Sequence, residues 1–473
     1  MLRPWHLDIQ WEQESGKPIY LQIADAVIKD IQSGRLKAGD ALPGSRNIAQ
    51  LLKVNRNTVV EAFNVLLIEG WLVSRERSGT FVADVLPVLT TALGEQQRRD
   101  INRPAAATYH IRFDDGHPDS KIAPVAELAR AYRQLFQRKA RWQLMGYGSE
   151  YGDLEFRKSI VQMLNYQRGM QVEETDICIT RGSQMAMYLA AQCLFKPGDY
   201  VLVENPGYQA AWKAFQHAGA TLLPVKTDKE GMCLKTVRDY LLKYPGIKAI
   251  YTTPHHQYPT TVTLSLQRRL ELIRLSNLYG FTVIEDDYDN EFHFGYRPVL
   301  PLSSHKELKN YLYVGTLSKV VAPALRIGYL VCPDHTLMEK VGSLRKVIDV
   351  QGDSIMEQAV LQLIQDGTIR RHIRKATVHY KTKRDHATLL LDRYLKDKAD
   401  YTIPEGGLAV WVTPKQEINW MEIAQQLQQK SISFIPPDHY SYDLPVNGIR
   451  IGYGSLSAEQ LEEGIAALAA CLP

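Results

Sequence analysis

Residues 311–319 read Tyr311-Leu312-Tyr313-Val314-Gly315-Thr316-Leu317-Ser318-Lys319, an apolar run that breaks at a glycine into a polar turn ending on a lysine. Tyr311 to Val314 has the length and composition of a buried strand. Similar runs stand at Ile177 to Thr180, Val201 to Glu204, Ile250 to Thr253 and Thr282 to Glu285. Helical segments lie between several of them, around Met185 to Phe195, Gln209 to His217 and Leu266 to Tyr279. Short apolar strands alternating with longer helices predict an α/β fold, a mostly parallel sheet covered by helices. From about Arg345 the order changes to helices first, then a strand at Leu408 to Val412, then Gly448 to Gly452 and a closing helix. That stretch reads as a smaller α+β domain.

The first 84 residues follow a different pattern. Ile23, Val27, Ile28 and Ile31 recur at helical spacing before Gly34. Ser45 is a good N-cap for a short helix carrying Ile48, Leu51 and Leu52. The connection Lys53-Val54-Asn55 then leads into a helix with Val59, Phe63, Leu66 and Leu67 on one face, closed by Gly70. Two short helices joined by three residues make a helix-turn-helix, and Trp71 to Val82, with Ser78-Gly79 as its turn, reads as a hairpin wing. The second helix of such a unit offers its first residues to a DNA major groove. Arg56, Asn57 and Thr58 hold that position, with Arg46 on the preceding helix and Arg75, Arg77 and Gly79 on the wing. The head is not basic overall, with ten Lys and Arg against ten Asp and Glu, so placement and not bulk charge carries the DNA reading. Residues 85–108, with Pro87, Gly94, Gln96-Gln97-Arg98-Arg99 and Pro104 before three alanines, read as a linker. The expected division is therefore a head over 1–84, the linker, a large domain over 109–344 and a small domain over 345–473.

Lys319 follows a strand, and a lysine at a strand end can form a Schiff base. Thr316 and Ser318 beside it, with Arg326 seven residues on, can hold a phosphate. Gly182, Ser183 and Gln184 join a strand to a helix, where backbone N–H groups and hydroxyls face an anion at the positive end. Asp286 and Tyr288 follow the strand Phe281 to Glu285 and suit a pyridinium N–H and a phenolic oxygen. Tyr208, in Asn205-Pro206-Gly207-Tyr208, can stack on a ring. Each piece alone is common, since a lysine after a strand is most often solvated and an acidic cluster is usually a loop face. Together, in this order, they meet the demands of pyridoxal 5'-phosphate.

Composition narrows the classes. The chain has 473 residues, a net charge of +4, 45% hydrophobic and 23% charged residues, close to a soluble globular average. It has no apolar run long enough for a membrane span, and Met1 to Gln22 lacks the pattern of a signal peptide. Cys178, Cys193, Cys233, Cys332 and Cys471 are odd in number and widely spaced, without a Cys-x-x-Cys pair. The expected setting is a reducing cytoplasm, with no disulfide framework and no metal site.

Leu42-Pro43-Gly44-Ser45-Arg46, Arg56-Asn57-Thr58-Val59 and Ser78-Gly79-Thr80-Phe81-Val82 resemble the winged-helix head of the GntR family of bacterial regulators. Gly44 stands where that family usually has Ser, and Arg77 where many members carry a wing Gly. The body resembles the fold-type I aminotransferases. Carrying that likeness are Glu285-Asp286-Asp287-Tyr288-Asp289, His256-Gln257-Tyr258-Pro259-Thr260, Leu325-Arg326-Ile327-Gly328-Tyr329 and Gly448-Ile449-Arg450-Ile451-Gly452-Tyr453. The whole is similar to the MocR family of regulators, which includes the GABA-responsive GabR group. The resemblance implies a homodimer, an operator with two half-sites, Lys319 as the lysine that carries the cofactor, and Arg450 as the contact for an effector carboxylate. Thr261 replaces the Gly usual after this Pro-Thr pair. Tyr258 stands where true aminotransferases carry an Asn that holds the ring oxygen, which points to sensing of a small amine or of the cofactor itself, and away from efficient turnover. A genuine aminotransferase with an ancillary head, and a DNA-binding protein with a bare scaffold for a body, stay as alternatives.

Overall fold

The computed structural model describes residues 9, 16–75, 79–87, 109–137, 141–295, 299–443 and 445–473. Contacts divide it into two compact units, Met1–Ala106 and Ala107–Pro473. Residues 76–78, which include Arg77 and Ser78 of the expected wing, and the expected linker beyond residue 87 lie outside the described residues.

Among the described residues, the first unit holds three helices and a hairpin: α1 (Ile19–Gln32), α2 (Ser45–Leu52), α3 (Arg56–Ile68), β1 (Leu72–Arg75) and β2 (Gly79–Val82). Ile23, Val27, Ile48, Val59, Phe63, Leu66, Leu72 and Val82 form one core, so each element buries the apolar face read from its spacing. Three details differ from expectation. Ser45 is the first helical residue and Gly44 the N-cap, because Pro43-Gly44 runs extended up to the helix. Leu51 is 56% exposed, since an eight-residue helix lying on one neighbour buries only Ile48 and Ala49. Gly79 pairs with Arg75 as the first residue of β2, although the sequence reading placed it in the turn.

The second unit opens with β3 (Ile111–Phe113), α4 (Val125–Gln137) and α5 (Leu154–Arg168). Strands and helices then alternate as β4 (Ile177–Thr180), α6 (Ser183–Leu194), β5 (Tyr200–Asn205), α7 (Gln209–His217), β6 (Thr221–Asp228), β7 (Gly231–Met232), α8 (Leu234–Lys243), β8 (Ile247–Thr252), α9 (Leu266–Tyr279), β9 (Thr282–Asp287), β10 (Tyr311–Thr316) and β11 (Gly328–Val331). They build one sheet in the order β4-β11-β10-β9-β8-β5-β6-β7. Parallel pairing runs from β10 through β9, β8 and β5 to β6. β11 lies antiparallel between β10 and β4. The sheet is mostly parallel, as expected, with β11 and β7 as its antiparallel strands. β11 escaped notice because its four residues follow Arg326 too closely to read as a separate run, and β6 because Pro224 and Lys226 interrupt its apolar pattern.

Both faces of the sheet are covered. Val201 and Val203 pack with α6 and α7, while Leu202 between them packs under α8 and α9, which is why these strands read as continuous apolar runs. The remaining elements are α10 (His335–Asp349), α11 (Ser354–Gln365), α12 (Thr368–Leu395), β12 (Ala399–Thr402), β13 (Ala409–Pro414), α13 (Trp420–Gln429), β14 (Ile432–Phe434), β15 (Ile449–Gly452) and α14 (Ala458–Cys471). β12, β13 and β15 form an antiparallel sheet, and β14 pairs in parallel with β3. Ile111 and Phe113 are thus buried in the C-terminal core, so the start of the body joins the later layer although the sequence reading kept 109–344 together. The expected division after residue 344 falls inside α10.

Candidate functional site

Strands β4, β5, β8, β9 and β10 all point the same way, so the loops after their C-terminal ends converge. In an open α/β sheet ligands bind at that edge, where successive strands turn in opposite directions from the centre. Here the turning point lies between β5 and β8. A cavity of about 220 Å³ opens there. Ser183, Tyr208, Asp286, Tyr288, Thr316, Ser318, Lys319 and Arg326 line it together.

Lys319 sits three residues past β10. Its Nζ donates to the Gly116 carbonyl at 3.0 Å and lies 4.9 Å from the centre of the Tyr288 ring. Burial pulls the ammonium pKa below its ordinary value, against the opposing field of Asp289. A larger share of the amine is therefore neutral and nucleophilic near pH 7.

Asp286 is the last but one residue of β9, inside the strand and not beyond it. The Tyr251 hydroxyl donates to its Oδ2 at 2.9 Å, while its Oδ1 is buried with no partner. Burial pushes the carboxyl up to about 7, with the Tyr251 bond working in the opposite direction. Tyr288 donates its hydroxyl to the His256 carbonyl at 3.0 Å and accepts from Arg450 Nη2 at 3.3 Å. Tyr208 meets the Tyr258 ring edge-on at 5.2 Å, and burial raises its phenol to about 12.

At the opposite end of the cavity, Gly182 at φ +80 turns the chain from β4 into α6, and no side chain caps that helix. Its positive end faces the cavity through Ser183. A Cβ on Gly182 would stand 2.8 Å from Arg326 Nη2, and one on Gly328 would stand 2.5 Å from the Gly182 carbonyl carbon. The two glycines let Arg326, itself at φ +51, lie against the helix start. Thr316 Oγ1 donates to the Ile327 carbonyl at 3.0 Å and accepts from the Ser318 N–H at 3.1 Å.

Two expected residues lie elsewhere. The Gln184 amide turns away to donate to the Ala210 carbonyl at 3.0 Å, because a side chain two residues into α6 points to the flank of the helix. Arg450 does not line the cavity. It is fully buried behind it, donating to the Asp115 and Pro259 carbonyls at 3.2 and 2.8 Å, with its guanidinium 5.2 Å from the centre of the Tyr258 ring. Other lining residues were not foreseen, among them Asp115, His117, Tyr251 and Thr253. Tyr251 carried a signal, a hydroxyl inside an apolar strand that must find a partner once buried. Asp115 carried none, since its partner Tyr258 is 143 residues away.

In the head, Arg46, Arg56 and Asn57 are exposed at the start of the two helices and Thr58 is half-buried. Asn55 caps α3 by accepting from the Asn57 N–H at 2.9 Å, and Arg56 Nε reaches Ser45 Oγ at 3.5 Å. Arg75 pairs with Asp84 at 3.2 Å and stacks on Phe81. Gly79 is exposed at the first position of β2. Among the described residues no group of His, Cys, Asp or Glu is placed to hold a metal ion, and no helix is long and apolar enough to cross a membrane.

Residues 111–468 match the model of the aminotransferase class I and II family. The chain belongs to that family. Residues 19–82 match the bacterial regulatory proteins of the gntR family, so the aminotransferase-family body follows a GntR head. The probable rhizopine catabolism regulatory protein MocR of Rhizobium meliloti is 27% identical over 97% of this chain and 94% of its own. Aromatic-amino-acid aminotransferase 1 of Thermococcus litoralis is 28% identical over 76% of this chain and 87% of its own. Kynurenine aminotransferase of Pyrococcus horikoshii, solved with PMP, superposes with a TM-score of 0.72 at 26% identity, covering 77% of this chain and 91% of that one.

Pyridoxal phosphate is the cofactor of this family, and the residues present fit it. The unpartnered Asp286 Oδ1 is the acceptor that a pyridinium N–H requires, and the approach of Arg326 to the uncapped α6 start is a cradle that any Cβ at Gly182 would fill.

Proposed function

We propose that the chain is a DNA-binding transcriptional regulator whose aminotransferase-like body holds pyridoxal phosphate and senses a small amine or amino acid. One observation carries this reading: the MocR protein aligns with 97% of the chain, head included, whereas the aminotransferase relative aligns with 76%. When bound, the cofactor supplies an aldehyde that accepts primary amines and a ring that withdraws electrons. In this reading Lys319 holds its aldehyde end, Asp286 its ring nitrogen, Tyr288 its ring oxygen and Tyr208 its face. The phosphate is held by Gly182, Ser183, Thr316, Ser318 and Arg326, with Gln184 contributing through its backbone. Arg450 is engaged by two carbonyls and a phenol, so a role toward an effector carboxylate requires it to give up one of them. The head through residue 84 contacts DNA through Arg46, Arg56, Asn57, Thr58, Arg75 and Gly79. The protein acts in the cytoplasm as a homodimer on two half-sites.

The second reading is a working aminotransferase, favoured by an intact set of Lys319, Asp286 and Tyr288 around the cavity. Tyr258 weighs against it. Its phenol is spent on Asp115 Oδ1 at 2.6 Å and offers no amide donor. DNA selected with the full-length protein, followed by binding at fixed salt, tests the proposal. Arg56→Ala is expected to weaken binding by about 1–3 kcal/mol, and steady-state transamination is expected to fall far below the roughly 10 s⁻¹ median of enzymes. Turnover near that median with a common amino donor would establish the second reading instead.

A further inference from the structure

We propose that the effector carries a second cationic group and that Asp115 is the residue that selects it. The inference rests on the reading of the body as an amine sensor and names the class of amine.

Asp115 lies in the loop after β3 and lines the same cavity as Lys319. Its Oδ1 accepts from the Tyr258 hydroxyl at 2.6 Å, and this is its one side-chain hydrogen bond among the described residues. It has no ion pair there. Lys319 and Arg450 feel its charge but direct their hydrogen bonds to other acceptors. Lys319 Nζ donates to the Gly116 carbonyl. Arg450 Nε donates to the backbone carbonyl of Asp115, not to its carboxylate. A carboxylate on a cavity wall loses water when a ligand enters, and an apolar or anionic ligand chain leaves it desolvated and unpaired. A second ammonium or guanidinium on the ligand restores a charge-assisted hydrogen bond.

The rest of the wall points the same way. Tyr208, Tyr258 and Tyr288 all line the cavity, and aromatic faces attract cations. Two of these rings already hold one, with Lys319 Nζ 4.9 Å from the Tyr288 centroid and the Arg450 guanidinium 5.2 Å from that of Tyr258. A carboxylate set among tyrosine rings is a cation site. The chemistry is therefore a primary amine bearing another cation a few carbons away, supplied either by a diamine or by a diamino carboxylic acid.

Calorimetry on the full-length protein loaded with pyridoxal phosphate tests this, using L-ornithine, 1,4-diaminobutane, L-norvaline and L-glutamate. Ornithine is expected to bind at least about tenfold more tightly than norvaline, which has the same carbon chain without the second amine, and glutamate most weakly. Asp115→Asn should erase the ornithine preference while leaving norvaline binding within a few-fold, and Asp115→Ser repeats the test should the first variant fail to fold. Diaminobutane binding as well as ornithine assigns the diamine source, and weaker diaminobutane binding assigns the diamino acid. Equal affinities for ornithine and norvaline in the unsubstituted protein overturn the proposal alone. So does an Asp115→Asn variant that weakens both ligands equally, which would leave Asp115 only positioning Tyr258. No heat from any amine in protein whose visible absorbance shows bound cofactor overturns the proposal together with the sensor reading beneath it.

Discussion

Four acids crowd residues 285–289, and only one faces the cavity. Glu285 accepts from the Leu302 and Ser303 N–H groups, Asp287 pairs with Arg168, and Asp289 pairs with His256. Strand alternation places Asp286 on the opposite face from Glu285 and Asp287, beside Tyr251. With its carboxyl raised to about 7, the folded cofactor-free protein keeps a proton that the unfolded chain releases above about pH 4. The folded state binds more protons across that window, so stability falls as pH rises through it. Asp286→Asn should flatten this component, worth at most about 1.4 kcal/mol per pH unit. Urea titrations of cofactor-free protein between pH 5 and 7 measure the difference from the unsubstituted chain, and identical slopes would place the proton elsewhere. The same variant should bind pyridoxal phosphate more weakly, because an amide replaces the anion opposite the ring nitrogen.

Among elements, the turn from β4 into α6 is where backbone geometry does most for the site. A residue with a side chain at φ +80 is strained, and at Gly182 it would also displace Arg326. Gly182→Ala is expected to cost about 1–2 kcal/mol of stability from the backbone. It should also cost about tenfold in cofactor affinity through loss of a charge-assisted phosphate contact. Thermal unfolding and fluorescence titration separate the two effects. Lost stability with unchanged affinity would remove Arg326 from the phosphate site. This turn was legible in sequence because Thr180-Arg181-Gly182-Ser183 joins a clear strand to a clear helix. β11 was not, although it presses Gly328 against that turn, because a four-residue strand has too few residues to show a period. Gly79 was placed in the wing's turn for a related reason: hairpin register is set by pairing across strands, and Gly79 opposite Arg75 is already the first residue of β2.

For the whole molecule, sensing means that amine and DNA alter each other's affinity, and thermodynamic linkage makes the two factors equal. An amine that changes DNA affinity tenfold must find its own affinity changed tenfold by saturating DNA, about 1.4 kcal/mol in each direction. Anisotropy of labelled DNA and calorimetry of the amine give the two numbers, and an amine that binds without moving DNA affinity would end the sensor reading. The linear sequence alone determined that a helix-turn-helix head precedes an α/β body, and that a lysine, an acid and the Gly182-Ser183 turn stand at strand ends. The residue types and their positions are written in local period and in the order of motifs along the chain, and the phosphate-holding role of that turn is part of the proposed function. Tertiary structure decided which of four neighbouring acids meets the cavity, that Gln184 turns away, that Arg450 is held from behind, and that Asp115 and Tyr251 belong to the site at all. Asp115 reaches Tyr258 across 143 residues and Arg450 reaches Pro259 across 191. Contacts at such separations depend on packing and rotamer direction, which leave no period in the chain.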